Sequence, residues 1–281
     1  MTNQKKSTIR FSSLENALRL LNVFSMNEPE LGISEIAYRL GVANSTASRL
    51  VTTLISEGFI AKDQKTNLYR LGTSVLALGH FVQSKLPLFR LTQPVLESLV
   101  KQTNETAHIG ILKDNDLIYI NKIECSHPVR LLSHVGKRNP CHCTSSGQVL
   151  MAYQEPHKIN EFLQKSFESF SKKTITDQET LRNLLDTVKK QGYSVSIEEL
   201  HEGVTSIAAP IKDGKGNIIA SVTIAGPIQR INNATIPTLI KMVIQAGHEI
   251  SKRLQLFSDN KVLDRNPLWY KESRSSTSPG I

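Results

Sequence analysis

The chain has 281 residues, 39 % of them hydrophobic and 21 % charged, which is the composition of a folded protein and more length than one domain usually takes. Lys and Arg outnumber Asp and Glu by 34 to 25, so the formal charge is +9, an excess that favours a polyanionic partner such as nucleic acid. Three cysteines (Cys125, Cys141, Cys143) are too few and odd in number for a disulfide framework, no run of about 18 apolar residues could span a membrane, and MTNQKKSTIRF lacks the apolar core of a signal peptide, so the expected compartment is the cytoplasm.

In chain order, residues 1–11 read as a flexible basic arm. From a hydroxyl cap at Ser12 or Ser13, Leu14, Ala17, Leu18, Leu21 and Phe24 recur at spacings of three and four, the period of an amphipathic helix with those residues inward. ISEIAYRL is a second, short helix, with Ile33, Ile36, Ala37 and Leu40 on one side and Gly41 at its end. A third runs from about Asn44 to Glu57, with Ala47, Leu50, Val51, Leu54 and Ile55 inward, and Gly58 stops it. Two strand-like runs, 59–62 and 68–71, flank the polar turn DQKTN and predict a hairpin. Residues 73–87 form a linker helix ended by Leu86-Pro87, which marks the domain junction. Beyond a helix over 88–103 come strands in HIGIL and LIYINKI, a third in PVRLLSHV, and helices over 145–153, 156–167 and 177–191. Strands in YSVSI, TSIAAPI and NIIASVTIAGP follow, then a long helix over 233–256 and a flexible tail over 258–281. Without a regular βαβ alternation, 88–257 is an α+β domain: an antiparallel sheet flanked by helices.

The second and third helices answer to one geometry. Ala37, Gly41, Ala47 and Leu50 fall at the offsets of a helix-turn-helix: Ala37 lets a helix cross closely, Gly41 can take the positive φ of a tight turn, and Ala47 and Leu50 seat the third helix. The remaining face, Asn44, Ser45, Thr46, Ser48 and Arg49, is then free to enter a major groove, its hydroxyls facing phosphate or base edges and Arg49 facing guanine or phosphate. Asn44 or Ser45 is expected to cap the helix as well. The hairpin becomes a wing whose Lys62, Lys65 and Arg70 suit backbone or minor-groove contact. Residues 12–72 are thus read as a winged helix-turn-helix that binds double-stranded DNA.

These residues, together with two downstream segments, resemble the IclR family of bacterial transcription regulators. The N-terminal resemblance lies in LRLLNVFS, LGISEIAYRLGVANSTASRLVTTLISEGFI and YRLG. The more specific part is GYSVSIEELHEGVTSIAAPIKDGKGNIIASVTIAGP, supported by VGKRNPCHCTSSGQVLMAY, and the whole covers roughly residues 12–256. The resemblance implies a GAF-like effector domain over 88–257. It also implies a homodimer or tetramer that acts as a regulator, here a repressor, of a catabolic operon. Control comes from a small organic or sugar acid, with no cofactor. Carried over by position, Ser145 and Ser146 match small residues whose N–H groups open a helix, Ser206 precedes the Ala-Ala-Pro strand, and Thr223 matches a hydroxyl position. Ser196 stands where some relatives are acidic. Helix-start N–H groups bind carboxylates, and the hydroxyls would add directional bonds.

Other constellations carry less. Cys141-His142-Cys143 sits on an extended chain where successive side chains point to opposite faces, so the sulfurs and His142 do not converge on one ion, and with no second ligand pair no metal site follows. The alternative function is a small-molecule sensor or a Cys–His enzyme built from Cys143, His142 and Glu199 that binds DNA only incidentally; no oxyanion motif accompanies that trio. Glu198, Glu199 and Glu202 read as a solvated or loop-ordering acidic patch and His201 as surface.

Overall fold

The computed structural model describes residues 11–25, 28–127 and 133–259. The chain divides into two compact units, Met1–Lys85 and Leu86–Ile281.

In the first unit, α1 (Ser13–Leu21) starts in a capping box: Ser12 Oγ accepts from the Glu15 N–H at 3.1 Å and the Glu15 carboxylate accepts from the Ser12 N–H at 2.6 Å. α2 (Ile33–Leu40) ends at Gly41, whose φ of +68° is the left-handed turn expected of it, and α3 (Asn44–Ser56) follows after two residues. Leu20, Leu31, Ile36, Ala37, Leu40, Ala47, Val51 and Ile60 close the core between them. The hairpin of β1 (Ile60–Lys62) and β2 (Tyr69–Leu71) pairs Ile60 with Leu71 and Lys62 with Tyr69. Its turn is tied by Asp63, whose carboxylate accepts from the Lys65 and Thr66 N–H groups at 2.7 and 2.9 Å. α4 (Thr73–Lys85) follows and buries none of its residues.

Here three expectations fail locally. Leu14 and Leu18 are 70 % and 55 % exposed, and α1 instead buries Leu20 and Asn16. Periodicity marks which residues share a stripe, but two stripes compete on this helix, and the core meets the one through Leu20. Phe24 lies beyond the helix end, and Ile55 of α3 is exposed. The α3 cap is Ala43, which makes no side-chain bond, so neither Asn44 nor Ser45 caps the helix.

In the second unit, α5 (Pro87–Thr103) leads into β3 (Thr106–Lys113) and β4 (Asp116–Ile123). After β5 (Arg138–Pro140) come α6 (Ser145–Ala152), α7 (Pro156–Leu163) and α8 (Gln178–Gln191). β6 (Ser194–Ile197), β7 (Val204–Lys212), β8 (Ile218–Pro227) and α9 (Ile236–Asp259) complete it. The strands form one antiparallel sheet in the order β5-β4-β3-β8-β7-β6. The pleat divides the sheet between two cores. Ile207, Ala209, Ile211, Val222 and Ile224 face α5 and α9, while Ala208 and Leu117 face α6 and α8. The fold is the α+β class expected. Of the strand expected in PVRLLSHV, residues 128–132 lie outside the described residues and 133–135 are not in a strand; the pairing partner of β4 is instead Arg138–Pro140. The helix expected to run to 167 stops at Leu163. The expected arm over 1–11 (save Phe11) and the tail beyond 259 also lie outside the described residues.

Candidate DNA interface and effector cavity

On α3, Ala47 and Val51 are buried and hold the helix to its unit, and Leu50 packs beside them half-buried. The other face carries Asn44, Ser45, Thr46, Ser48 and Arg49, all exposed, and none makes a side-chain hydrogen bond to another described residue. With a cap that offers no side-chain acceptor, the first N–H groups of α3 stay available to an anion such as phosphate. On the wing, Lys65 is exposed at the turn. Lys62 lies 5.6 Å from the centre of the Tyr69 ring, and Arg70 makes a 3.3 Å surface ion pair with Glu30. The structure thus groups the five α3 residues on one solvent face, with Arg70 already engaged.

The second unit has a small cavity of about 70 Å³ at the N-terminus of α6. Thr144 and Cys143 come from the loop before that helix, Ser196 from β6, Ser206 from β7, and His108 and Tyr119 from β3 and β4; Lys137, Glu199 and His201 close the rim. Of the sequence-predicted effector residues, Ser196 and Ser206 line this space. Ser145, Ser146 and Thr223 do not; they sit one layer behind it, fully buried. There the Ser145 hydroxyl donates to Ser206 Oγ at 2.8 Å and the Ser146 hydroxyl bonds Thr223 Oγ1, so α6 is pinned to β7 and β8 by hydroxyl pairs. Close packing adds to this: a Cβ on Gly147 would come within 2.4 Å of Cys141 Cα.

Gln148 is the hub behind the cavity. Its amide nitrogen donates to the His142 carbonyl at 2.9 Å and to the Glu199 carboxyl at 2.8 Å, and its oxygen accepts from Ser194 at 2.5 Å. Glu199 is therefore no member of a solvated patch. It is only 7 % exposed, and burial raises its pKa to about 7, against the pull of hydrogen bonds from Ser196 and Gln148. Of its neighbours, Glu198 pairs with Lys173 and accepts from the Gly203 N–H at 2.8 Å, which orders the loop, and Glu202 is exposed. His201 is exposed, as expected, yet its pKa is lowered by burial of the ring and by Lys137.

His108 is fully enclosed, and burial, with Lys122 nearby, lowers its pKa to about 3, so the ring is neutral. Its Nε2 is 2.7 Å from Ser133 Oγ and its ring stacks on Tyr119 at 4.4 Å. Its Nδ1 is buried with no hydrogen-bond partner among the described residues. Nothing in periodicity singled out His108, Tyr119, Lys137 or Asn139 beforehand; the usable signal was a lone histidine in the otherwise apolar strand TAHIGIL.

The chemistry of a Cys–His nucleophile is missing from the trio weighed above. Burial pushes the Cys143 thiol up to about 12, so it carries no thiolate at neutral pH. The His142 Nε2 is engaged with the Glu168 carbonyl at 3.0 Å and its ring packs on Phe167. Among the described residues, no group of His, Cys, Asp or Glu could hold a metal ion, and no helix is long and apolar enough to cross a membrane.

Comparison with known proteins agrees with both regions. Residues 13–64 match the IclR helix-turn-helix domain, and residues 80–252 match the domain described as bacterial transcriptional regulator IclR C-terminal. The chain is 30 % identical over 243 residues to the HTH-type transcriptional regulator XynR of Escherichia coli (strain K12), covering 86 % of this chain and 96 % of that one. It is likewise 30 % identical to the glycerol operon regulatory protein of Streptomyces coelicolor, with the same two coverages. A solved IclR homologue from Microbacterium hydrocarbonoxydans, complexed with 4-hydroxybenzoate, superposes with a TM-score of 0.78 at 26 % identity, over 87 % of this chain and 100 % of that one. With a helix-turn-helix that leaves its polar face open and a second unit built around a small polar cavity, the chain belongs to the IclR family: it is a DNA-binding transcription regulator controlled by a small-molecule effector.

Proposed function

We propose that this protein represses a catabolic operon and is released or re-set by a small carboxylate effector bound in the cavity at α6. Asn44, Ser45, Thr46, Ser48 and Arg49 read the operator's major groove, and Lys65 and Arg70 steady the wing on the backbone. The effector's carboxylate lies toward Lys137, with Ser196 and Ser206 giving it directional bonds. Ser145, Ser146 and Thr223 act from behind, holding α6 against the sheet so that the wall keeps its shape. The domains so used are 12–72 for DNA, 73–87 as linker and 88–257 for the effector. No catalytic group and no cofactor enters this scheme, and the protein works in the cytoplasm. Two or four copies act together. The exposed stripe of Leu78, Phe81 and Val82 on α4 offers one copy an apolar seam for another, since such a stripe is costly in water.

The observation that carries the reading is the pairing, in one chain, of an exposed α3 face without side-chain partners among the described residues and a small cavity lined by a lysine and three serines. A gel-shift titration against the protein's own promoter region tests it. Operator binding that weakens steeply with salt is expected, and addition of the effector should change it by about 1–3 kcal/mol of coupling. Ser206→Phe should abolish that response while DNA binding persists. Weak, sequence-blind binding by the wild type would refute the regulatory reading, and a response that survives in Ser206→Phe would move the effector elsewhere.

A further inference from the structure

Among the described residues, His108 lines the cavity and its Nδ1 is buried without a hydrogen-bond partner, which constrains what the cavity holds. His108 is 1 % exposed. Leaving a buried polar atom unpaired is costly, so a group that completes it on binding gains affinity that an analogue lacking that group forgoes. The ring's other nitrogen is held by Ser133 Oγ at 2.7 Å, and that bond fixes the role of Nδ1. If Ser133 donates, Nδ1 carries the proton and needs an acceptor; if Ser133 accepts, Nδ1 is itself the acceptor and needs a donor. A hydroxyl group serves either tautomer. A carboxylate, which only accepts, serves one, and an alkyl carbon serves neither.

The size of the space narrows the class further. At about 70 Å³ the space is small, so only a short molecule fits. Lys137, Ser196 and Ser206 line the same space and are given above to the carboxylate, which leaves His108 to the remainder of a short molecule.

We propose that His108 is a specificity-determining residue that reads a hydroxyl on the effector, so that the cavity selects short hydroxy acids over the corresponding plain acids. This rests on the reading of the cavity as the effector site. Because the imidazole stays neutral, its contribution is directional hydrogen bonding rather than charge, and it discriminates without adding affinity for every anion.

Calorimetric titration of the full chain with matched acids tests this: 2-hydroxypropanoate against propanoate, and 2-hydroxybutanoate against butanoate. The wild type is expected to bind each hydroxylated member about tenfold or more tightly than its partner. His108→Leu, which keeps an apolar contact for Tyr119, should reduce the hydroxy acids to the level of the plain acids and leave the plain acids within about twofold of wild type. His108→Asn, which can both donate and accept, should restore part of the preference. Lys137→Gln should weaken both members of each pair equally. A wild type with no preference, no binding of any of the four acids, or a preference that survives in His108→Leu would overturn the inference. The two readings fail differently. If Lys137→Gln and Ser206→Phe leave every affinity unchanged, the cavity is not the effector site; if either weakens binding while His108→Leu keeps the preference, only the role of His108 falls.

Discussion

Two runs of small hydroxyl residues, NSTAS at the start of α3 and CTSSG at the start of α6, look alike in composition and end in opposite places. The polar residues of the α3 run are exposed, and none of their side chains is bonded to another described residue. The α6 run is buried; Thr144 bonds the nearby Pro140 carbonyl, and the Ser145 and Ser146 hydroxyls are taken up by strands far along the chain. Serine and threonine carry no preference strong enough to decide between these fates. What decides is the next layer: α3 has apolar anchors only on one side, whereas α6 continues into Val149, Leu150, Met151 and Ala152 and is buried along its whole length. A polar run beside one apolar stripe faces outward to a partner. A polar run leading into an entirely apolar helix is drawn inside and must satisfy itself there.

That contrast can be broken by substitution, beginning with the largest effect. Gly147→Ala should destabilise the second unit by more than about 4 kcal/mol, because the new methyl meets Cys141 backbone that cannot move without displacing β5 and α6; the check is a thermal or denaturant unfolding curve, and a small shift would mean the segment is looser than described. The matching change on α3, Ser48→Ala, should leave stability within about 0.5 kcal/mol.

Next comes the pH dependence of the buried carboxyl. Glu199 titrates near 7 in the fold, against 4.5 for the unperturbed group. Between those values the folded state holds a proton that the unfolded state has lost, so this group makes stability fall as pH rises from about 4.5 to 7, by up to about 3 kcal/mol. His108 runs the other way: its folded pKa of about 3 lies below the unperturbed 6.5, and its contribution rises with pH across that window. The test is therefore the difference between wild type and Glu199→Gln as pH is varied, in which the histidine slope cancels. A flat difference would mean Glu199 stays ionised.

Smaller still is Ser146→Ala, which leaves Thr223 Oγ1 unpaired in the core and should cost about 2 kcal/mol; adding Thr223→Val should recover a good part of it, and failure to recover would show that packing rather than the hydrogen bond is at stake. After Ser146 comes the open face. Arg49→Ala should lower operator affinity about tenfold in a gel shift and leave the unfolding temperature unmoved, since the guanidinium has no partner among the described residues.

Much of the first unit was legible from neighbours in sequence: the Ser12–Glu15 capping box, the left-handed Gly41, the Ala47 and Val51 anchors and the wing hairpin all follow from contacts within a few residues. The errors there came where two apolar stripes on one helix competed for a single core, as with Leu14 and Leu18 against Leu20. The α+β class of the second unit also followed from its strand and helix periods. The cavity did not. Its wall draws on all six strands of the sheet and the loops between them, and the bonds that shape it join residues 61, 77 and 51 positions apart: Ser145 to Ser206, Ser146 to Thr223, and Gln148 to Glu199. Local propensity has no term for such partners. Whether Glu199 meets water or Gln148, and whether His108 finds a mate for each nitrogen, depends on which strands the sheet sets side by side, because only burial by distant chain turns an ordinary acid or imidazole into one with a displaced pKa and an unmet hydrogen bond.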